Sequence, residues 1–511
     1  MSRHRVRSLV MRASVASGLL GAVWLVVPAA VSAHQLTSRY ESPIPLQAYV
    51  AGAAIAVALS FALVIGRGPV PAPARAGRAA SRSLTVPAWF RLLLRAIGLI
   101  GWLVILLQVV SGSPNGDADA ASLFVWLFGW VAVALVSALV FPIWRWLDPF
   151  TTLYDVGAWL ARRLGVRGAA ALEYPERLGV WPAVAGLALV AWFELVVPQT
   201  RAGRPLGLVV IAYTAVTLLL MSQLGRNAWR ARGETFSVWF GTLNRLAAIG
   251  PDPDAPDERV VIRPFASGLD AADWSVDRTV LVAVATASVI YDGLSQTQAF
   301  AGWFGTPGIA GATVLLGLFV GALALAAALV AGLVGPRSLG AGLVPIATGY
   351  LIAHYLTFLL FTSPRILNVV SDPLASGGNL LGVEPFEPSA DWLPPAVAWA
   401  IQLIAIVGGH VLGAIEGHRA AVHEAAAPEA APRTAGRAQS TGSRIRDARL
   451  RQVPLAVLMV GLTSLTLWSL GQVVVVHEEE PSATSGIVGP SVPAATLSGA
   501  PTGSRVGVDA T

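Results

Sequence analysis

Four ionisable side chains stand inside apolar stretches of this chain: Glu194 in WFELVVP, Asp292 in VIYDGLSQ, His354 in YLIAHYLTF and His410 in IVGGHVLGAIEGH. Hydrocarbon solvates neither a carboxylate nor an imidazolium, so each is a functional candidate by default. Two chemistries suit these residue types. Carboxylates and imidazoles together can hold a divalent ion such as zinc or copper, which turns bound water into a nucleophile near neutral pH. Without metal, the same groups can accept and relay protons. Counting a rise of about 1.5 Å per residue from the basic end of each stretch puts Glu194, Asp292 and His354 roughly 20 Å up, in one layer. His410 comes out only about 9 Å up, so it and His354 are too far apart to grip one haem. Asp292, His354 and Glu194 are therefore the expected catalytic set. Glu416 and His418, below His410, mark a second position where a cation would fit.

Such groups must be carried by membrane-spanning elements. Of 511 residues, 55% are hydrophobic and 13% charged, about half the charged share of a soluble domain. Apolar runs of bilayer length recur about ten times. They fall at Leu46–Gly66, Leu92–Val110, Ser122–Phe141, Trp181–Val197, Leu206–Leu224, Arg278–Leu294, Ile309–Leu333, Leu339–Thr362, Pro395–Glu416 and Leu455–Val476. The expected fold is an all-α, polytopic membrane helical bundle. Its loops alternate in charge. One set carries Arg145, Arg162, Arg163, Arg226, Arg230, Arg232 and Arg337; the other is acidic or poor in arginine, with Asp117, Asp119, Asp372, Glu384, Glu387 and Asp391. Arginine excess marks the cytoplasmic side, so both ends of the mature chain are expected outside the plasma membrane. The formal charge of +6 is scattered arginine, which fits a lipid bilayer as partner and not nucleic acid. The absence of cysteine excludes thiolate nucleophiles, thiolate metal sites and disulfides.

The N-terminus has the order of a secretory signal: Arg3, Arg5, Arg7 and Arg12, an apolar stretch from Ala13 to Val27, then Val31-Ser32-Ala33. Cleavage after Ala33 leaves residues 34–476 as the membrane domain and makes His34 the terminal residue, whose amine and imidazole can chelate copper or zinc. The expected metal ligands are thus His34, His354, Asp292 and His410. Residues 425–453 read as a cytoplasmic linker and 477–511 as an external tail. Trp159–Leu172 and Phe236–Ile249 read as interfacial helices. Trp144, Trp146, Trp181, Trp303 and Trp392 read as an aromatic belt.

The stretches FPIWRWLDPFTTL, RGETFSVWFGTLNRLAAI, ASVIYDGLSQTQAF, IAHYLTFLL, SDPLASGGNLLGVEPF and VGGHVLGAIEGHRA resemble a family of prokaryotic multi-pass membrane proteins labelled fenitrothion hydrolase. The resemblance runs from the mature N-terminus to about Ala420. It implies attack of water on an apolar phosphorothioate triester, releasing a nitrophenol. The chain departs from the family pattern at Leu351 and Ile352, in place of a further histidine, and at His418-Arg419, in place of His-Asp. A transporter or permease, or a metal-handling protein built on His34, is the alternative that the buried ionisable groups leave open.

Overall fold

The computed structural model describes residues 45–66, 82–111, 119–166, 172–374, 376–382, 392–426 and 452–472, all within one compact unit. The signal segment, His34, linker residues 427–451 and the tail lie outside the described residues, as do Asp117, Glu384, Glu387 and Asp391.

The fold is an all-α bundle, and among the described residues nine helices are long and apolar enough to cross a membrane. These are α1 (Leu46–Gly66), α2 (Ala88–Ser111), α3 (Ala120–Leu139), α7 (Gly203–Leu224), α10 (Val276–Ser295), α12 (Ile309–Val334), α13 (Pro336–Thr362), α15 (Pro395–Ala426) and α16 (Val453–Leu470). Shorter helices fill the gaps: α4 (Trp144–Leu147), α5 (Pro149–Arg163), α6 (Trp181–Leu195), α8 (Arg226–Arg232), α9 (Thr235–Leu243), α11 (Gln298–Phe304) and α14 (Ile366–Ser371). The expected span at Trp181–Val197 is the exception to the count of ten. It is a 15-residue helix, too short to cross about 30 Å of hydrocarbon. Pro198 follows closely, and Arg201 donates to the carbonyls of Glu194 (2.7 Å) and Leu195 (3.0 Å), closing the helix end.

Burial runs from the middle outward, as a lipid-solvated bundle requires. Helix α10 is covered along almost its whole length, packed by α6, α12, α13 and α16. Helix α12 exposes Val314, Leu318, Leu325 and Leu329 at 58%, 66%, 61% and 61%, on one helical face that only hydrocarbon solvates without cost. Helices α13 and α15 pack backbone to backbone. A Cβ added at Gly409 would lie 2.7 Å from the Pro345 carbonyl oxygen, and one at Gly417 would lie 3.0 Å from that of Ser338. Glycines at 409, 413 and 417 thus form a small-residue seam, which is how helices gain dispersion contact where lipid removes the hydrophobic drive.

The arginine-rich end is thicker than the sequence suggested. A small antiparallel sheet, in the order β1 (Arg82–Thr85), β3 (Arg259–Ile262), β2 (Ile249–Pro251), lies there with Leu84 opposite Val260. Several expectations are corrected at this end. The helix expected at Trp159–Leu172 is α5, which begins at Pro149 and stops at Arg163. The segment Phe236–Ile249 is no interfacial helix. Its helical part, α9, buries Val238, Trp239, Phe240 and Leu243, because it packs against α6 and the last turns of α3. Trp146 is 1% exposed and donates to the Asp257 carbonyl, so it is a core residue and not part of a belt; Trp144 packs against Phe240 at 5.3 Å. Helix α15 continues past Glu416 to Ala426, where His423 Nδ1 meets Asp270 Oδ2 at 2.9 Å.

Candidate functional site

Asp292 and His354 meet. Asp292 is in the last turn of α10, and His354 is two turns before the end of α13; both helices start at the arginine-rich end, so similar counts bring both residues to one level. His354 Nε2 lies 2.8 Å from Asp292 Oδ2, and Gln296 Nε2 donates to Oδ1 at 2.7 Å. A carboxylate oxygen accepts, so the proton of the neutral imidazole belongs on Nε2 and the lone pair on Nδ1. Nδ1 is buried and has no hydrogen-bond partner among the described residues.

The ring is clamped by aromatics. Tyr350 stacks on it at 5.8 Å and Tyr355 meets it edge-on at 4.6 Å. Tyr355 is held in turn by the indole N–H of Trp130, which donates to its hydroxyl at 3.2 Å. Trp130 comes from the π-helical part of α3, Leu123–Ala132, a wider winding that recurs where side chains must be re-aimed. Gly293 supplies the remaining space, since a Cβ there would sit 3.2 Å from both His354 Cε1 and the Tyr350 hydroxyl. The imidazole is therefore the enclosed member of the pair (side chain 4% exposed) and the carboxylate the accessible one (16%).

Glu194, half-buried in the last turn of α6, is within electrostatic range of Asp292, Arg201 and Tyr355. The catalytic set read from the sequence is thus brought to one neighbourhood. The metal set is not. Among the described residues no three His, Asp or Glu side chains gather as an ion site. His410 lies beside Gly409 at the level of Pro345, about 13 Å along α13 from His354. Its Nδ1 donates to the Ile406 carbonyl at 2.8 Å, and the ring is 1% exposed. Glu416, expected to join it, is instead paired with Arg419 at 2.5 Å. His34 lies outside the described residues.

A second polar centre, at the arginine-rich end, was not anticipated. Asp148 caps α5, accepting from the Phe150 (2.8 Å) and Thr151 (3.2 Å) amides; Glu234 caps α9, accepting from the Phe236 (3.1 Å) and Ser237 (2.6 Å) amides and from the Tyr213 hydroxyl (2.5 Å). Both carboxyls are pushed above the usual range by burial, Glu234 further by the neighbouring Asp148 charge. Asp257 goes the other way. Burial alone would raise it, yet Arg230 (3.1 Å), Arg145 (3.0 Å) and Arg226 (3.5 Å) together hold it below the carboxylate range. The signal in the sequence was local: Asp-Pro in LDPFTT and Glu-Thr in GETFSV are helix-start patterns.

Compared with protein-family models, with curated proteins and with solved structures, the chain matches none.

Proposed function

We propose that this membrane protein is a hydrolase of apolar phosphotriesters, working at the Asp292–His354 pair in the arginine-poor half of the bundle. The observation that carries the reading is the 2.8 Å bond between an enclosed imidazole and a carboxylate that remains accessible. Such a bond, with Gln296 on the other oxygen, holds the carboxylate in place to take a proton from a water molecule. The water oxygen attacks phosphorus, its proton passes to Asp292, and the P–O bond to the aryl group breaks. The proton held on the pair then leaves with the phenolate. Glu194 would order the water, and His354 is a positioning residue. The resemblance to fenitrothion hydrolases supplies the substrate class, and an apolar triester partitions into the bilayer beside such a site. The backbone-to-backbone packing of α13 on α15 supports a fixed centre over the rocking expected of a carrier.

The test is hydrolysis of paraoxon and fenitrothion by purified full-length protein in neutral lipid. Wild type should turn over, Asp292→Asn should lose roughly 10²- to 10⁴-fold in kcat, and His354→Gln should shift the pH profile as well as lower kcat. Wild-type protein without turnover overturns the proposal.

A further inference from the structure

A cavity at the opposite, arginine-rich end has a volume of about 430 Å³, within the range of small-molecule sites. The proposed hydrolysis makes no use of it. Arg145, Arg230 and Arg278 line it, against Asp257 as the lone lining carboxylate. Arg278 donates to Thr242 Oγ1 at 3.1 Å and to no carboxylate side chain among the described residues. Burial, and next the neighbouring Arg230 guanidinium, push Arg145 down to about 10, so it stays charged at neutral pH, and it shares its one carboxylate partner, Asp257 at 3.0 Å, with Arg230 and Arg226. Further polar atoms on the wall are buried without a partner among the described residues: Ser137 Oγ, Trp144 Nε1 and Ser237 Oγ. Ser137 is 0% exposed.

Guanidinium and indole N–H groups can only donate. Three arginines around one lining carboxylate, together with the unpartnered Ser137, Trp144 and Ser237 groups, are complementary to an acceptor-rich anion. Arginines on several sides suit the tetrahedral oxygens of phosphate better than the two coplanar oxygens of a carboxylate, and Trp144 with Phe240 adds an aromatic wall for an organic substituent. We infer that this cavity binds a phosphate ester through Arg145, Arg230 and Arg278, with Ser137, Trp144 and Ser237 as neutral donors. The phosphate can come from a soluble monoester or from a phospholipid headgroup of the adjoining leaflet.

The experiment follows thermal stability of the full chain in neutral nanodiscs. Inorganic phosphate and phenyl phosphate are titrated at constant ionic strength against chloride, and a second arm adds phosphatidic acid to the discs. Saturable stabilisation by the small phosphates assigns a soluble ester; stabilisation by phosphatidic acid alone assigns a headgroup. In either case Arg278→Gln should weaken binding about tenfold or more. Ser137→Ala, which removes a buried hydroxyl without a partner, should leave ligand-free stability equal or higher while weakening binding roughly 3- to 10-fold. Asp292→Asn should leave phosphate binding unchanged, which separates this site from the hydrolytic one. No stabilisation in either arm, or equal binding by wild type, Arg278→Gln and Ser137→Ala, overturns the inference.

Discussion

Replacing Gly409 by alanine tests whether the α13–α15 seam sets the position of His354. The new methyl would stand 2.7 Å from the Pro345 carbonyl oxygen and 3.3 Å from Gly349 Cα. The first distance is about 0.7 Å short of ordinary contact, and the obstacle is backbone, so the helices must part by something near that amount. Overpacking of this kind costs roughly 1–3 kcal/mol. Gly408, the next residue, provides the control, because a Cβ there meets nothing within 4 Å. Gly408→Ala should gain up to about 1 kcal/mol from helix propensity alone. The two variants differ by one position and should differ in sign. The assay is the thermal denaturation midpoint in one detergent, with paraoxon turnover as second readout, since a displacement of about 1 Å costs as much as 10²-fold in rate. If Gly409→Ala melts at or above Gly408→Ala, the seam does not hold the bundle as described.

Other predictions concern groups whose partners are equally defined. Asp119 accepts from the Ala121 amide (3.1 Å), the Ser122 hydroxyl (2.5 Å) and the Gly203 amide (2.8 Å); Asp119→Ala should cost about 2–4 kcal/mol in denaturation, from one lost cap and one orphaned buried amide. Asp257 is depressed in the fold, so its stabilising contribution is complete at neutral pH and is lost as pH falls through its lowered pKa. The stability advantage of wild type over Asp257→Asn should therefore shrink on acidification below the ordinary carboxylate range, and an advantage that grows there would contradict the assignment. Glu234 has the opposite sign: raised in the fold, it makes the protein gain stability as pH falls through its pKa, and Glu234→Gln should remove that gain from the same titration.

The sequence by itself determined the solvent and the class of fold. Lengths of apolar runs and the scarcity of charge depend on local composition, and a bilayer leaves backbone polar groups few ways to be satisfied except in helices. It also determined the level of Asp292 and His354, because rise per residue is fixed once a helix spans. The glycine spacing at 409, 413 and 417 was there to be read as a packing seam. The run at Trp181–Val197 is already among the shortest of the ten by sequence; what only the structure decided is that its helix closes at Leu195, where Arg201 reaches back to its carbonyls. Nor could composition distinguish Trp146, buried under the Asp257 loop, from Trp303, 41% exposed on the short helix α11.

Tertiary structure alone decided which polar groups share a site. It joined His354 to Asp292 across 62 residues of chain and gathered arginines from α4, α8 and α10 around one cavity. Helix rotation and loop closure set those distances, and they follow from packing over the whole bundle, which a local pattern of residues does not encode.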